Sequence, residues 1–146
     1  MIIWLTGQPA SGKTTLAQRL YAMGVVDFII DGDQLREIHP EDYDERGRHA
    51  NVSRAQDIAL YLHNEGQRVA VALVSPYVAQ REWMKGKAPV HEFYLHTEEI
   101  RGREHFFSEH YQPPDDAVVL DTGTLTEEEC VRVIIGSVTG SASHAA

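Results

Sequence analysis

The sequence has few of the features that mark secreted or membrane-spanning proteins. It contains one cysteine, Cys130, so no internal disulfide can form, which agrees with a reducing compartment. No apolar run approaches the roughly 18 residues that cross a bilayer. The apolar stretch at residues 1–6 leads directly into a glycine-rich loop, with no sign of a signal peptide. We therefore expect a cytoplasmic protein without a membrane partner.

Basic residues are also scarce. Thirteen Lys and Arg against 22 Asp and Glu give a formal net charge of −9. Non-specific nucleic-acid binding needs clustered cations, so this charge argues against binding over the whole surface but leaves room for a local basic groove. The length of 146 residues and the lack of internal repeats predict a single domain over residues 1–146, with a small, polar tail at 137–146 that we expect to fray.

A phosphate-binding loop occupies residues 7–14, where the sequence GQPASGKT has a glycine, four free positions, Gly-Lys and a hydroxyl residue. An apolar strand pattern precedes this loop and a helical pattern follows it, as the motif requires. Gly7 and Gly12 allow the tight turn that points backbone N–H groups at phosphate. We expect Lys13 to reach the β- and γ-phosphates of ATP and Thr14 to ligate Mg²⁺. The remaining predicted loop contacts to ATP are Ala10, Ser11 and Thr15.

Strand and helix patterns alternate along the rest of the chain. Apolar runs predict strands at 25–30, 68–74, 90–95 and 117–122, and helical periodicity predicts helices at 50–65 and 78–87. Thr126, with Glu129 three residues on, predicts a capping box at the start of the final helix. Residues 34–48 are interpreted as a short helix and a mobile loop, and 97–112 as a crossover helix that also covers the phosphates. This alternation predicts an α/β P-loop kinase fold with a mainly parallel five-stranded sheet flanked by helices.

Two carboxylates, Asp31 and Asp33, follow the second predicted strand, at the edge of the sheet where the phosphate loop emerges. The guanine-reading Asn-Lys-x-Asp motif is absent, and the strand at 68–74 ends in Ser75-Pro76 without the acid of a motor-type ATPase. The pattern therefore favours a kinase in which Asp33 takes the acceptor proton and Asp31 supports Mg²⁺ through water. The alternative is a tight turn with a helix cap.

Arginines near these acids are candidates for binding anionic groups. Arg36 lies one helical turn beyond Asp33 and could hold an anionic group of the acceptor by bidentate contacts. Three residues spaced by three, Arg48, Asn51 and Arg54, share one face of the following helix. Their alternative interpretation is a solvated charged face. In the covering segment, Arg101 and Arg103 are candidates for stabilising transition-state charge.

The chain resembles the adenylylsulfate (APS) kinase branch of the P-loop kinases. The matching stretches are WLTG at 4–7, SGKTTLA at 11–17, DGDQLR at 31–36, Arg48 with Asn51 and Arg54, VSPY at 74–77 with Arg81, LDT at 120–122 and LTEEECV at 125–131. The resemblance implies phosphoryl transfer from ATP with Mg²⁺, an acceptor pocket at Arg48, Asn51, Arg54, Ser75 and Pro76, and ATP contacts at Arg101 and Thr122.

The lid region departs from this family. Its Arg-Asp-x-Lys-Gly-Leu-Tyr and Phe-Thr-Gly-Ile-Asp segments are missing, and only RGRE at 101–104 remains before Phe106-Phe107. A short lid predicts an open acceptor side, and in this respect the chain is similar to the small bacteriophage 5-hydroxymethyluracil DNA kinases. The first expectation is therefore a hydroxymethylated pyrimidine in phage DNA, in a bacterial host's cytoplasm. Side chains expected to stack on such a base are Tyr43, Tyr77, Phe106 or Phe107.

Other acceptors and roles stay open at this point. APS is the first alternative, with conversion to its phosphorylated form, PAPS. A polynucleotide 5′-hydroxyl kinase is another, because phage kinases of that type have a similar spacing between a base and a phosphate-binding arginine. A nucleotide-binding regulator without an acceptor is the alternative from a different class. The sequence does not set the oligomeric state, and a homodimer is compatible with it.

Overall fold

Five parallel strands form one sheet in the computed structural model, which describes residues 1–97, 108 and 111–145, with side chains up to residue 140. The strands are β1 Ile2–Thr6, β2 Phe28–Asp31, β3 Val69–Ala72, β4 Val90–His96 and β5 Val118–Asp121, and the order in the sheet is β2-β3-β1-β4-β5. The helices are α1 Lys13–Ala22, α2 Gly32–Ile38, α3 Glu45–Asn64, α4 Val78–Lys87 and α5 Glu127–Ala145. The predicted fold class is confirmed.

The central strand β1 is covered on both faces, which explains its continuous apolar sequence. Ile3 and Leu5 pack into a core layer with α1 and α5, whereas Ile2 and Trp4 pack into the opposite layer with α3 and α4. All five residues of β1 are buried as a result. Because the strands are parallel, their carboxyl ends meet at one edge of the sheet, where the phosphate loop, the acids after β2 and the loop after β3 converge.

Helix α3 begins earlier than the sequence suggested. It starts at Glu45 rather than residue 50, and the carboxylate of Asp44 caps it by accepting a hydrogen bond from the backbone N–H of Gly47 at 2.8 Å. Apolar periodicity starts only at Val52, so the polar first turns carried no helical signal. The earlier start places Arg48 in a helical turn, where it is 4% exposed.

The last helix has the predicted capping box. The backbone N–H of Thr126 donates to Glu129 Oε1 at 3.0 Å, and that of Glu129 donates to Thr126 Oγ1 at 3.1 Å. The helix extends to Ala145, so the stretch expected to fray is helical there, and Val138 packs into the core. Cys130 is 1% exposed within the same core layer, so it is a packing residue.

Residues 97–112 were expected to form a crossover that covers the phosphates, and most of them lie outside the described residues. Among the helices of the described ranges, none has the length and apolar character needed to cross a bilayer.

Candidate active site

A cavity of about 230 Å³ opens where β2, β3 and the phosphate loop meet. It joins side chains that are far apart in sequence. Its lining includes Pro9, Ala10, Gly12, Lys13, Thr14 and Thr15 of the phosphate loop, Asp31, Gly32 and Asp33 after β2, Arg36, Tyr43, Arg48 and Asn51 on or near α2 and α3, and Ser75 and Pro76 after β3. Residues predicted to bind ATP and residues predicted to bind the phosphoryl acceptor therefore line the same cavity.

The phosphate loop has the backbone that its glycines predict. Gly7 has φ +156, and a Cβ at this position would lie 2.4 Å from the carbonyl oxygen of Leu95, so only glycine fits. The Lys13 ammonium lies inside the curve of the loop, donating to the carbonyls of Gly7 at 3.0 Å and Gln8 at 2.8 Å. This position holds a positive charge where phosphate oxygens bind.

Thr122 supports the loop from behind. Its hydroxyl donates to the carbonyl of Ser11 at 2.7 Å, and neither residue is in the cavity lining. The structure thus places Thr122 next to the predicted ATP site as a support for the loop backbone. Arg101 and Arg103, the other residues predicted on this side, lie outside the described residues, as do Phe106 and Phe107.

Thr14 and Asp31 meet at the start of α1. The Thr14 hydroxyl donates to Asp31 Oδ2 at 2.6 Å, and the carboxylate is 6% exposed. Hydroxyl and carboxylate oxygens are the hard ligands that Mg²⁺ prefers, so this pair fits the ion. Thr14 would hold it directly and Asp31 through water.

The two acids after β2 have different positions. Asp31 Oδ1 accepts hydrogen bonds from the backbone N–H groups of Asp33 at 2.8 Å and Gln34 at 3.4 Å, so Asp31 is the N-cap of α2. The cap alternative is therefore correct for Asp31, which also contacts Thr14. Asp33 lies in the first turn of α2, exposed, with its side chain among the cavity-lining groups.

Two arginines share the ring of Tyr43. The Arg36 guanidinium carbon is 4.0 Å from the ring centroid, and that of Arg48 is 5.5 Å from it. Arg48 Nε also donates to the backbone carbonyl of Tyr43 at 3.0 Å. Burial, followed by the nearby Arg36 charge, lowers the pKa of Arg48. The two guanidinium groups repel each other, and a bound anion would offset this repulsion.

Buried polar atoms also face this region. Among the described residues, Arg36 Nε and Asn51 Oδ1 have no hydrogen-bond partner. Asn51 is 1% exposed, and its Nδ2 donates to the carbonyl of Gly32 at 3.2 Å. A buried group without a partner is costly, so these atoms indicate where a polar ligand would bind.

Arg54 and Tyr77 were predicted in the acceptor pocket and are not in the cavity lining. Arg54 Nη2 instead donates to Glu41 Oε1 at 3.1 Å. The Tyr77 ring lies beside His49, with centroids 6.5 Å apart. The structure thus brings together Arg36, Tyr43, Arg48 and Asn51 and leaves these two residues outside.

Sequence reasoning missed a contribution from Arg81. Its side chain donates to the carbonyl of Ser75 at 2.7 Å, behind the cavity wall, and Arg81 is 3% exposed. The sequence placed this arginine in a matching stretch but gave no sign that it would be buried, because helix α4 is polar over most of its length.

The sequence profile of the adenylylsulphate kinase family matches residues 1–99. The chain belongs to the adenylylsulfate kinase family. The adenylyl-sulfate kinase of Bacillus licheniformis is 28% identical to it, over 92% of this chain and 82% of that enzyme. In structure, the chain is similar to APE1195, with 28% identity, a TM-score of 0.84 and coverage of 96% and 95%. It is also similar to the Mycobacterium tuberculosis APS kinase CysC in complex with AMPPNP and APS, with 20% identity, a TM-score of 0.79 and coverage of 94% and 96%.

Membership of this family makes the chain a P-loop phosphotransferase that acts on hydroxyl groups and uses ATP with Mg²⁺. These relatives support the APS alternative more directly than the DNA kinase that was the first expectation. The match to these relatives is nevertheless incomplete. The profile match ends at residue 99, and the alignment with the Bacillus enzyme spans 162 positions although this chain has 146 residues. The relative therefore has segments without a counterpart here.

Proposed function

We propose that the protein is an APS kinase, transferring the γ-phosphate of ATP to a hydroxyl group of APS to form PAPS. One observation carries this proposal: Arg36 and Arg48 converge on Tyr43 in the same cavity as Asp33 and the phosphate loop. A pair of guanidinium groups suits the sulfate and phosphate of APS, and an aromatic ring beside them suits its adenine.

In the proposed reaction, the phosphate loop and Lys13 hold the β- and γ-phosphates of ATP. Mg²⁺, held by Thr14 and by Asp31 through water, would neutralise charge that develops on the phosphates. Asp33 accepts the proton of the acceptor hydroxyl while that oxygen bonds to the γ-phosphorus. The bond from the γ-phosphorus to the bridging oxygen breaks, and ADP leaves with the electron pair.

The acceptor is held from the opposite side of the cavity. Arg48 is fixed by its bond to the Tyr43 carbonyl, so its guanidinium is positioned before any ligand binds. Arg36 Nε and Asn51 Oδ1 supply a donor and an acceptor whose hydrogen-bonding capacity is unused among the described residues. An acceptor that forms hydrogen bonds with both atoms and carries negative charge should bind more tightly than a neutral acceptor of the same shape.

A second candidate acceptor is the hydroxymethyl group of 5-hydroxymethyluracil in DNA. It is favoured by the lid motifs of this family that the sequence lacks, since their absence would leave the acceptor side open to a large substrate. The net charge of −9 weighs against it, since DNA binding depends on cations at the surface. A 5′-hydroxyl DNA end needs the same open side.

Transfer of labelled γ-phosphate from ATP, with Mg²⁺, distinguishes these acceptors in parallel reactions with APS, DNA containing 5-hydroxymethyluracil, and 5′-hydroxyl DNA. We expect label in PAPS. Label only in the modified DNA would replace APS with the second candidate, and label only in 5′-hydroxyl DNA would indicate a polynucleotide kinase. Slow ATP hydrolysis unaffected by any of these acceptors would contradict a kinase acting on them and favour a nucleotide-dependent regulator.

Substitutions on the acceptor side test how the pocket recognises anions. Arg36→Ala and Arg48→Ala should each raise the KM for the acceptor about 10- to 100-fold, since a hydrogen bond to a charged group contributes about 1.5–3 kcal/mol. The Kd for ATP should stay within about twofold of the unmodified protein. Arg46→Ala is the matched control, because Arg46 is an exposed arginine on α3, the helix of Arg48, and is not in the cavity lining. A uniform loss in all three variants would contradict a specific anion site.

A further inference from the structure

The loop after β3 has a strained backbone at Ser75. Its φ of +45 lies in the left-handed region, which is strained for a residue with a Cβ. Ser75 is 1% exposed, and both Ser75 and Pro76 line the cavity on the acceptor side. Such a conformation persists only where its surroundings fix it, so the contacts to Ser75 decide where this cavity wall lies.

Among the described residues, three side chains contact Ser75. The indole N–H of Trp4 donates to Ser75 Oγ at 2.9 Å, and Arg81 Nη1 donates to the Ser75 carbonyl at 2.7 Å. The Thr6 hydroxyl lies 3.4 Å from the same carbonyl and 2.8 Å from that of Val74, which is its closer acceptor. Arg81 thus supplies the charged contact, and a charge-assisted bond is roughly twice as strong as a neutral one.

The other end of the Arg81 guanidinium binds a second segment. Its Nη2 donates to the backbone carbonyl of Gln112, whose own N–H donates to the carbonyl of Pro76 at 2.7 Å. The Gln112 side chain accepts a hydrogen bond from the Val78 N–H at 2.7 Å. One planar group therefore joins the strained loop to residue 112, which in turn contacts both sides of that loop.

A buried acid accompanies this arginine. Glu92 Oε2 lies 3.9 Å from Arg81 Nε, and the two side chains are 5% and 2% exposed. Glu92 also pairs with Lys85 at 3.1 Å, so its charge keeps a partner when Arg81 is replaced. Arg81 itself is not in the cavity lining. Its role must therefore be exerted through the groups that it holds.

We propose that Arg81 is a positioning residue for the acceptor side of this kinase. Its guanidinium fixes the carbonyls of Ser75 and Gln112 together, and this keeps the Ser75-Pro76 wall in the conformation that the acceptor requires. The planar fork can bond two carbonyls in fixed directions, whereas a lysine ammonium at the same place is a point charge on a flexible stem. The kinetic part of this proposal rests on the proposed function, and the spectroscopic part does not.

The kinetic test compares Arg81→Lys and Arg81→Met with Lys87→Met, which removes an exposed charge from the same helix. Both Arg81 variants should raise the acceptor KM about tenfold or more while kcat and the KM for ATP change less than about threefold. The double variant Arg81→Met with Glu92→Gln should behave likewise, which controls for the unbalanced buried charge. A parallel loss in kcat and both KM values, or an unchanged acceptor KM, would overturn the proposal.

The spectroscopic test reads the contact at Ser75 without any acceptor. Trp83→Phe leaves Trp4 as the one tryptophan, so a single indole N–H resonance reports the bond to Ser75. In this background, both Arg81 variants should shift that resonance and speed its solvent exchange about tenfold or more, and Lys87→Met should not. An indole signal unchanged by both Arg81 variants would overturn the proposal. A changed signal together with no transfer to APS would instead count against the proposed function alone.

Discussion

The hydroxyl of Thr14 donates to the Asp31 carboxylate at 2.6 Å, although the two residues are 17 positions apart and belong to different elements. The other oxygen of the same carboxylate caps α2, the helix that carries Asp33 and Arg36. A single side chain therefore joins the metal side of the phosphate loop to the helix on the acceptor side. Loss of the whole Asp31 side chain should therefore affect both the phosphate loop and α2.

Asp31→Asn separates these two roles. The amide oxygen can still cap α2, but the charge that we propose supports Mg²⁺ is lost. We expect the Mg²⁺ concentration for half-maximal ATP binding to rise about 10- to 100-fold, the usual cost of removing an outer ligand of a metal. Calorimetric titration of ATP at several Mg²⁺ concentrations measures this. Asp57→Asn, an exposed acid on α3, is the control, and equal Mg²⁺ dependence in both variants would refute a metal role.

Asp33→Asn should abolish most transfer without weakening ATP binding. A general base contributes about 10²- to 10⁴-fold, so the acceptor-dependent rate should fall by that factor. ATP binding should be unaffected because the phosphate loop and the Thr14–Asp31 pair remain. Glu37→Gln removes an exposed acid from the same helix and should leave the rate unchanged. Tight ATP binding with normal transfer by Asp33→Asn would rule out its role as a base.

Gly47→Ala should damage the acceptor side through the loop before α3. A Cβ at Gly47 would lie 2.0 Å from the carbonyl oxygen of Asp42, so the loop that carries Tyr43 must move. We expect a destabilisation of about 1–3 kcal/mol and a higher acceptor KM with unchanged ATP affinity. Gly86→Ala is the matched control, since an added Cβ would meet no other segment of the described chain within 4 Å. It should be neutral or stabilising by up to about 1 kcal/mol.

Thr126→Ala should reduce stability without reducing activity at low temperature. The Thr126 hydroxyl accepts the Glu129 N–H at the start of α5, and Thr126 is not among the cavity-lining residues; losing such a cap costs about 0.5–2 kcal/mol. Urea unfolding measures the change in the free energy of unfolding. Thr126→Ser keeps the hydroxyl and should retain most of the stability. Equal losses in the two variants would show that the methyl group, rather than the cap, is responsible.

Cys130 should be slow to react in the folded protein. Burial raises the pKa of its thiol, which packs into the core from α5, and the reactive thiolate is therefore scarce as well as inaccessible. We expect labelling by a disulfide reagent to be at least about 100-fold slower in the native state than in urea. Fast native labelling with stoichiometric modification would contradict the packing role.

Local sequence was sufficient for features whose partners are neighbours in the chain. The phosphate loop depends on glycines within eight residues, and the capping box at Thr126 and Glu129 depends on a spacing of three. The start of α3 was missed because its first turns are polar and are held by Asp44 rather than by an apolar face. Arg48, Asn51 and Arg54 were predicted to share one helix face. Arg48 and Asn51 line the cavity, whereas Arg54 pairs with Glu41.

The sequence by itself determined the P-loop kinase fold, the glycine-rich phosphate loop and the presence of two acids where β2 ends. Each of these rests on local backbone requirements or on strand and helix periodicity. Tertiary structure alone decided that Asp31 meets Thr14, that Arg36 and Arg48 share the ring of Tyr43, and that Arg81 holds Ser75 at positive φ. These contacts join separate elements, and their geometry is set by how the helices pack on the sheet, which residue spacing does not encode.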